Sequence, residues 1–166
     1  MRDPRERSAW DSPGFLLWHA TLRWQRAVAA ALRPLELTHV QFVLLAGAWW
    51  LARHGDRPSQ RELADHAATD PMMTSQVVRV LERRGLLRRE EDDVDARIRR
   101  LALSPEGEAL ALEALAVVEA ADERYFAAVP DRDELVDALS ELAGRGRLAL
   151  MGRTAEEPPL ASTSPG

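Results

Sequence analysis

The chain has 166 residues, an apolar fraction of 46% and a formal net charge of -5 at pH 7, values that predict one folded domain. It contains no cysteine, so a disulfide framework, a thiolate metal site and a cysteine nucleophile are excluded. All 22 positive charges are arginines, and no apolar run approaches the roughly 18 residues that span a bilayer. We expect a cytoplasmic protein, because the N-terminus also lacks a hydrophobic signal core.

The first part of the chain carries helical patterns. Over 15–32, apolar residues recur at helical spacing, which predicts an amphipathic helix that Pro34 closes. Thr38 and Gln41 have the spacing of a capping box and predict a second helix over 38–53. Each helix is therefore expected to pack through one apolar face.

The middle of the chain predicts a helix, a tight turn and another helix. The stretch SQRE at 59–62 is a second capping box and opens a short helix that ends near residue 67. Asp70 then supplies a favoured N-cap and Pro71 a favoured first helical residue, for a helix that Gly85 ends at its C-cap. This order is typical of a helix-turn-helix, whose second helix reads DNA.

Two short segments, LLRR and IRRLAL, follow this motif and enclose a charged loop. Their lengths suit an antiparallel strand pair, with the stretch EEDDVDARIRR at 90–100 around its tip. Ser104 and Pro105 then begin a long helix to about residue 128, and DRDE at 131–134 opens a last helix through about residue 148. The strand pair is predicted to form a wing.

The order of elements predicts the fold class, which is mainly α with a small β-hairpin wing: a winged helix-turn-helix plus N- and C-terminal dimerisation helices. Apolar stripes on the end segments favour pairing of two chains, and the residues that carry them are Leu32, Leu35, Leu135, Leu139 and Leu142. The expected parts are a flexible N-terminal segment (1–14), a single domain (15–148), its dimerisation helices (15–35 and 104–148), its winged lobe (38–103) and a disordered tail (149–166).

This series of motifs resembles the MarR family of bacterial transcription regulators over roughly 15–148. The matching stretches are LTHVQFVLL, SQRELADHA, DPMMTSQVVRVLERRGLLRR and DVDARIRRLALSPEG. The resemblance implies a homodimer whose two winged lobes grip a pseudo-palindromic duplex. It also implies release of the DNA when a small, often aromatic or phenolic, ligand binds between the dimerisation helices and the lobe. We therefore expect a dimeric, sequence-specific repressor that uses no cofactor.

Candidate DNA contacts lie in three parts of this pattern. The first turns of the recognition helix would enter the major groove, where Gln most naturally reads adenine and Arg reads guanine. By resemblance, Arg97 at the wing tip enters the minor groove, Asp95 holds it in position, and Arg99 or Arg100 meets phosphate. The first turn of the preceding helix would contact the DNA backbone. The predicted contacts are Gln60, Arg61, Met72, Thr74, Ser75, Gln76, Arg79, Asp95, Arg97 and Arg99.

Other side chains of the recognition helix are expected to pack inside the protein. Val77, Val78 and Leu81 fall on the side opposite to the predicted contacts. Met72 and Met73 are open to two interpretations, since a methionine can touch thymine methyl groups or fill a gap in the core. The helix is thus predicted to have one apolar and one DNA-facing side.

Four carboxylates, from Glu90 to Asp93, precede the wing tip and are unfavourable beside DNA. They must point away from the duplex or be neutralised by neighbours such as Arg88 and Arg89. If they weaken non-specific affinity, replacing Asp92 and Asp93 by Asn would raise affinity for random DNA. On composition alone the loop would be a solvated hairpin without a partner, and its position after the helix-turn-helix favours the DNA contact.

Four of the five tryptophans lie on the first two helices. Spacing favours a core position for Trp18 and for one of Trp49 and Trp50, and the alternative is that they form the walls of an aromatic ligand pocket. His19 or His39 would then supply a polar group, so the predicted ligand contacts are these five residues. The four histidines are scattered and none has a partner at i+3 or i+4, so no metal site is predicted.

Two other classes of function remain open at this point. A protein-interaction module could use the winged helix and the acidic C-terminal part, but it would leave the placement of Arg79, Arg97 and Arg99 unexplained. An enzyme is disfavoured, because the chain has no glycine-rich phosphate loop, no GxSxG and no HExxH.

Overall fold

A computed structural model of the chain describes residues 8–92, 94, 95 and 97–144. Within these residues the helices are α1 (Pro13–Leu32), α2 (His39–His54), α3 (Gln60–Ala67), α4 (Pro71–Arg83), α5 (Pro105–Phe126) and α6 (Arg132–Leu142). The strands are β1 (Leu87–Glu91) and β2 (Arg99–Leu103), which pair antiparallel with Leu87 opposite Leu103. The predicted fold class, mainly α with a β-hairpin wing, is confirmed.

The chain divides into two compact units, Met1–Tyr125 and Phe126–Gly166. The first unit holds the helix-turn-helix, the wing and almost all of α5, and the second holds α6. The predicted domain over 15–148 spans parts of both units. The predicted tail over 149–166 lies outside the described residues.

Local capping signals fix where the helices begin. The Ser12 hydroxyl accepts a hydrogen bond from the Phe15 amide, and Pro13 occupies the first turn, so α1 begins two residues before its predicted start. A 3-10 turn at Ala9–Asp11 precedes it, within the segment predicted to be flexible. The prediction followed the apolar pattern and missed this cap.

The other predicted N-caps are confirmed. Both arms of the capping boxes are present at Thr38, which opens α2, and at Ser59, which opens α3. At the start of α4, the Asp70 carboxylate accepts hydrogen bonds from the amides of Met72 and Met73. These short-range bonds satisfy amides that the helices themselves leave unpaired.

The ends of α4, α5 and α6 differ from the predictions. The C-cap of α4 is Arg84, and Gly85 follows it with φ 71°, a left-handed conformation that glycine adopts without strain. Helix α5 ends at Phe126 and helix α6 at Leu142, both earlier than predicted. Gly144, with φ 68°, follows the α6 C-cap. The remainder of the predicted last helix, 145–148, lies outside the described residues.

The core of the first unit joins α1, α2, α3, α4, α5 and the base of the wing. Its largest fully buried apolar side chains are Val28, Leu32, Leu44, Leu45, Leu63, Val78, Leu81 and Leu101. The predicted core positions of the recognition helix are confirmed, with Val77 packed at the edge. Leu32 is fully buried in this core, so its predicted dimerisation role is wrong, whereas Leu35 packs against the core and stays partly exposed, so its role in dimerisation stays a prediction.

The base of the wing meets α5 at Gly107. The Leu86 carbonyl accepts from the Ser104 amide at 3.1 Å, and the Ser104 hydroxyl accepts from the Gly107 amide at 2.9 Å. A Cβ atom on Gly107 would lie 2.0 Å from the Leu86 carbonyl oxygen. The SPEG sequence therefore provides a helix cap and, three residues later, the small residue that lets the helix approach the chain before β1.

No single helix among the described residues is long and apolar enough to cross a membrane. The consecutive segments Pro13–Leu35 and His39–His54 reach the required length and composition only as a pair, and they are bent by 75°.

Candidate nucleic-acid interface

Helix α4 has a buried side and an exposed polar side. Thr74, Val78 and Leu81 are fully buried, at the i, i+4, i+7 spacing of one helix face. The predicted contacts that remain accessible on this helix are Met72, Ser75, Gln76 and Arg79. Gln76 and Arg79 thus present an amide and a guanidinium outward from a helix whose other side is fixed by packing.

Thr74 was predicted to contact DNA, and this prediction is wrong. Its side chain is fully buried, and its hydroxyl donates to the Asp70 carbonyl at 2.9 Å. The same hydroxyl shares a hydrogen bond of 2.8 Å with that of Thr69. Thr74 lies four residues before Val78, so its spacing places it on the apolar face, where it holds the turn between α3 and α4.

The first turn of α3 lies beside the wing. Gln60 is half-buried and its side-chain oxygen accepts from Arg89 at 3.2 Å, whereas Arg61 is exposed. Arg89 also pairs with Glu82 of α4 at 3.4 Å. Arg89 is therefore engaged with the helices, and the predicted neutralisation of the acidic loop by Arg89 is not observed. The contacts of Gln60 and Arg61 with DNA stay predictions.

The glutamates at the end of β1 are paired with arginines of the same chain. Glu90 forms ion pairs with Arg57 and Arg88, so the predicted role of Arg88 is confirmed. Across the hairpin, Glu91 accepts from Arg99 at 2.9 Å. A phosphate contact of Arg99 would therefore compete with this pair. Asp93 lies outside the described residues.

Asp92 organises the wing turn. One of its oxygens accepts from the amides of Val94 and Asp95, at 2.9 and 3.0 Å, and the other accepts from Arg100 Nε at 2.5 Å. The hydrogen bond from Arg100, followed by those from the two amides, lowers the pKa of the Asp92 carboxyl to about 2. Asp92 is therefore fully ionised at neutral pH and contributes to the turn as an acceptor.

Arg97 is exposed beyond this turn. Its backbone amide donates to Asp95 at 3.0 Å. Asp95 thus contacts the backbone of Arg97, and its predicted role in positioning the Arg97 side chain stays a prediction. The guanidinium stays accessible to a ligand outside the chain.

Arg100 also reaches the start of α3. Its Nη1 donates to Glu62 at 2.8 Å and to the Arg57 carbonyl at 3.2 Å. The Ser59 amide is the first cause, and Arg100 a lesser one, of the lowered pKa of Glu62. Residues 62 and 100 are 38 positions apart, and no local pattern in the sequence signals their contact.

The five residues predicted to bind a ligand do not come together in one site. Trp18 is 62% exposed, so its predicted core position is wrong within this chain. His19 lies beside it in sequence but packs against the rings of Trp10 and Phe15, at centroid distances of 5.1 and 4.3 Å. These two predicted contacts are therefore on the first turns of α1, and His19 is part of a small aromatic cluster.

His39 belongs to a different cluster. Its ring lies 5.1 Å from that of Trp24, whose indole N–H donates to Asp122 of α5 at 2.7 Å. The His39 side chain borders an open cavity of 460 Å³, which is also lined by Gln25, Ala29, Val40, Val43, Ala67 and Thr69. Burial lowers the pKa of His39, and the Asp122 carboxylate opposes the shift only in part. His39 is thus neutral at pH 7.

The two neighbouring tryptophans of α2 point into different surroundings. Trp49 packs against the core, as predicted for one of the pair, and lines a separate cleft of 350 Å³ with Arg53 over its ring. Trp50 stacks on His54 and His66, at centroid distances of 4.2 and 5.2 Å. Adjacent helical residues cannot share a face, and the structure places only His39 of the five at the 460 Å³ cavity.

The lowered pKa of His39 predicts a pH dependence of stability. The unfolded chain, with an ordinary His pKa of 6.5, binds a proton more readily than the folded chain. The contribution of His39 to the free energy of unfolding is therefore complete above pH 6.5 and is lost as the pH falls below it. Urea unfolding at pH values of about 7.5 and 5.5 measures this contribution. On going to the lower pH, the free energy of unfolding should fall more in the parent than in His39→Gln. Equal losses in the two proteins would contradict this assignment.

The geometry defines the class of the protein. A helix-turn-helix whose second helix exposes polar side chains, followed by an antiparallel wing with an exposed arginine, is a winged helix-turn-helix of the DNA-binding type. The model of the MarR family matches residues 37–98, from the start of α2 to the wing. Together with the relatives described next, this shows that the chain belongs to the MarR family of transcriptional regulators.

Two curated relatives are similar over most of their length. The chain is 43% identical over 131 residues to the uncharacterized HTH-type transcriptional regulator YdcH of Bacillus subtilis, which covers 79% of this chain and 89% of that protein. It is 36% identical over 135 residues to the HTH-type transcriptional repressor Rv2887 of Mycobacterium tuberculosis, with 80% and 94% covered.

Solved structures of similar proteins contain ligands. CouR from Rhodococcus jostii RHA1, bound to p-coumaroyl-CoA, has a TM-score of 0.73 and 32% identity over 83% of this chain and 96% of that one. Rv2887 in complex with DNA has a TM-score of 0.61 and 33% identity, over 79% and 97%. Its complex with salicylic acid has a TM-score of 0.63 and 34% identity, over 83% and 98%.

Proposed function

We propose that the chain is a homodimeric repressor that binds a pseudo-palindromic operator and releases it when a small ligand binds. The observation that carries this proposal is the outward face of α4, where Gln76 and Arg79 are exposed opposite the buried Val78 and Leu81. The similarity to Rv2887, a repressor whose complex with DNA is solved, supports it. Membership of the MarR family supports transcription regulation as the role of the protein, and we propose that this face binds the DNA.

In the proposed complex, the first turns of α4 lie in the major groove. Gln76 reads adenine and Arg79 reads guanine, while Met72 and Ser75 border the same base edges. Arg97 enters the adjacent minor groove. The phosphate contacts come from the first turn of α3 and from the wing, through Gln60, Arg61 and Arg99.

Dimerisation is supported by apolar side chains that stay exposed in each unit. On α1, Leu16, Leu17 and Trp18 are 46, 51 and 62% exposed. On α6, Leu139 and Leu142 are 39 and 77% exposed. Apolar surface of this kind indicates contact with another protein surface, and the proposed occupant is a second copy of the chain. We further propose that the end segments over 15–35 and 104–148 form this interface.

The proposed effector is a small aromatic molecule that binds at the cavity bordered by His39. Salicylic acid and the p-coumaroyl group, found in the solved relatives, both carry a hydroxylated benzene ring. The cavity is lined mainly by apolar side chains, and the neutral imidazole of His39 offers one donor and one acceptor. Trp24, beside it, has its indole N–H occupied by Asp122.

We also propose that the chain has no catalytic activity of its own and acts in the cytoplasm. The relatives are named as transcriptional regulators, which is a non-enzymatic role. Regulation of transcription requires access to chromosomal DNA, which in a bacterium lies in the cytoplasm.

Selection of random duplex DNA on the purified full-length protein, followed by sequencing, tests the proposal. The expected result is an inverted repeat with half-site centres about 10 base pairs apart, because two symmetric lobes must occupy one face of the duplex. Light scattering should give a dimer at micromolar concentration. A monomer, or no enrichment of any sequence, would contradict the proposal and would favour the protein-interaction module.

A further inference from the structure

Arg100 connects three parts of the winged lobe. Its guanidinium donates to Asp92 of the wing turn at 2.5 Å and to Glu62 of α3 at 2.8 Å. A third bond, of 3.2 Å, reaches the carbonyl of Arg57 in the turn before α3. The Arg100 side chain is only 19% exposed, so the protein covers most of this cation. We call the ion pairs of Arg100 with Asp92 and Glu62 the wing brace.

Each carboxylate of the wing brace also holds backbone in place. Glu62 accepts from the Ser59 amide at 2.6 Å and so closes the capping box at the start of α3. Asp92 accepts from the amides of Val94 and Asp95 in the wing turn. One guanidinium therefore joins the group that fixes the first turn of α3 to the group that fixes the wing tip.

Backbone contacts reinforce the same connection. The Leu101 amide donates to the Pro58 carbonyl at 2.8 Å, and Ser59 forms a β-bridge with Arg100. At the other end of the wing, the Asp92 amide donates to the Ile98 carbonyl at 3.1 Å. Strand β2 thus runs directly beside the start of α3, and the wing brace lies between that junction and the wing tip.

Arg99, the neighbour of Arg100, has different surroundings. Successive side chains of a strand point to opposite faces, and Arg99 is 56% exposed and pairs with Glu91, itself 61% exposed. Arg99 can therefore reach a phosphate by giving up one exposed ion pair. Arg100 would have to give up three internal bonds, which makes a direct DNA contact of Arg100 unfavourable and an internal role favourable.

We propose that Arg100 is a positioning residue, which holds the wing tip at a fixed place relative to the start of α3 so that Arg97 reaches the minor groove. Without the wing brace, the hairpin tip would sample many positions, and ordering it on DNA would weaken binding. The inference rests on the proposed function, because it assumes that α3, α4 and Arg97 engage one half-site. Arg100 then affects affinity only through Arg97.

A double-mutant cycle on the selected operator tests this dependence. Arg97→Ala is expected to weaken binding about 5- to 150-fold. Arg100→Gln should cause a part of that loss, and the double variant should bind no more weakly than Arg97→Ala alone. If the fold-losses of affinity from the two single variants multiply in the double variant, the two arginines act independently, and the proposal is overturned.

Arg99→Gln is the matched control, because it removes the same charge from the adjacent position of β2. The factor by which Arg99→Gln weakens operator binding should multiply with the factor for Arg97→Ala in the double variant, as expected for a separate phosphate contact. The second readout is the preference for A·T over G·C base pairs at the wing position of the operator, since only G·C places an amino group in the minor groove. This preference should fall in Arg97→Ala and Arg100→Gln and persist in Arg99→Gln. Arg100→Gln with the full preference of the parent would refute the positioning role.

Amide hydrogen exchange tests the wing brace without DNA. The amides of Val94 and Asp95 should exchange faster in Arg100→Gln than in the parent or in Arg99→Gln, while the thermal midpoint reports whether the lobe stays folded. Unchanged exchange at both amides would overturn the wing brace, whatever the DNA experiments give. A parent protein that selects no DNA sequence would instead contradict the proposed function, so the two failures are distinguishable.

Discussion

The Arg79→Ala variant is expected to bind the selected operator more weakly by about 1–3 kcal/mol and to lose its preference at one base pair. Arg79 is exposed on α4, two turns from the N-terminus of the helix, where a guanidinium can bond both acceptors of a guanine. The measurement is fluorescence anisotropy with the operator and with variants in which each base pair of one half-site is changed. The parent should discriminate at the contacted pair, whereas Arg79→Ala should bind all four base pairs there alike.

Arg83→Ala is the control for this prediction. Arg83 is exposed in the last turn of the same helix and carries the same charge. If it touches DNA at all, it can reach only phosphate, so its loss should be small and equal for all operator variants. An Arg79→Ala protein that weakens uniformly, with its base preferences unchanged, would contradict the proposed reading of the major groove by Arg79.

The Gly107→Ala variant is expected to lower the free energy of unfolding by about 1–3 kcal/mol, the usual range for overpacking. The added Cβ would lie 2.0 Å from the Leu86 carbonyl oxygen, and that oxygen already accepts from the Ser104 amide. The φ angle of Gly107 is not positive, so the expected cost comes from this contact and not from backbone strain. Urea unfolding of the parent and the variant gives the difference directly.

Gly14→Ala is the matched substitution. Gly14 lies in the first turn of α1, and a Cβ added there would have no atom within 4 Å. Alanine is the better helix former, so this variant should be as stable as the parent or more stable by up to about 1 kcal/mol. A Gly107→Ala protein that unfolds at the same urea concentration as the parent would show that α5 can move away from Leu86 without cost.

Local signals made most of the fold predictable. The capping boxes at Thr38 and Ser59 and the Asp70 and Pro71 pair each act within a few residues, and each begins a helix where the sequence indicates. Gly85 likewise marks the end of α4 through its backbone conformation. Because these bonds and conformations are short-range, they can be read from a single stretch of sequence without knowledge of the tertiary structure.

Burial was predicted less well, because an apolar stripe shows that a helix face is covered and not what covers it. Trp18 and Leu32 lie on the same predicted stripe of α1, but Trp18 is 62% exposed and Leu32 is fully buried. Thr74 shows the opposite error, since its polar type suggested a DNA contact while its spacing from Val78 indicated the core. Spacing was therefore misleading for Trp18, whereas for Thr74 the spacing was informative and the residue type was misleading.

Two contacts near the candidate site that the sequence did not predict are long-range. The bond from Arg100 to Glu62 joins positions 38 apart, and that from Trp24 to Asp122 joins positions 98 apart. Any of several arginines could satisfy a given carboxylate in a chain with 22 arginines, so composition cannot choose among them. The packing of β2 beside the start of α3 makes that choice for Arg100.

The paired charges of the wing also limit how this sequence can diverge. Substitution of Arg100 removes the counter-charge that Asp92 and Glu62 share, and substitution of either carboxylate removes one of the two partners of Arg100, so neutral drift at these positions is expected to proceed by compensating exchanges. Gln76 and Arg79 lie outside these pairs, on the exposed face of α4, and each can change alone. In the proposed complex, new operator specificity can therefore arise in one mutational step on α4, while the geometry of the wing is inherited unchanged.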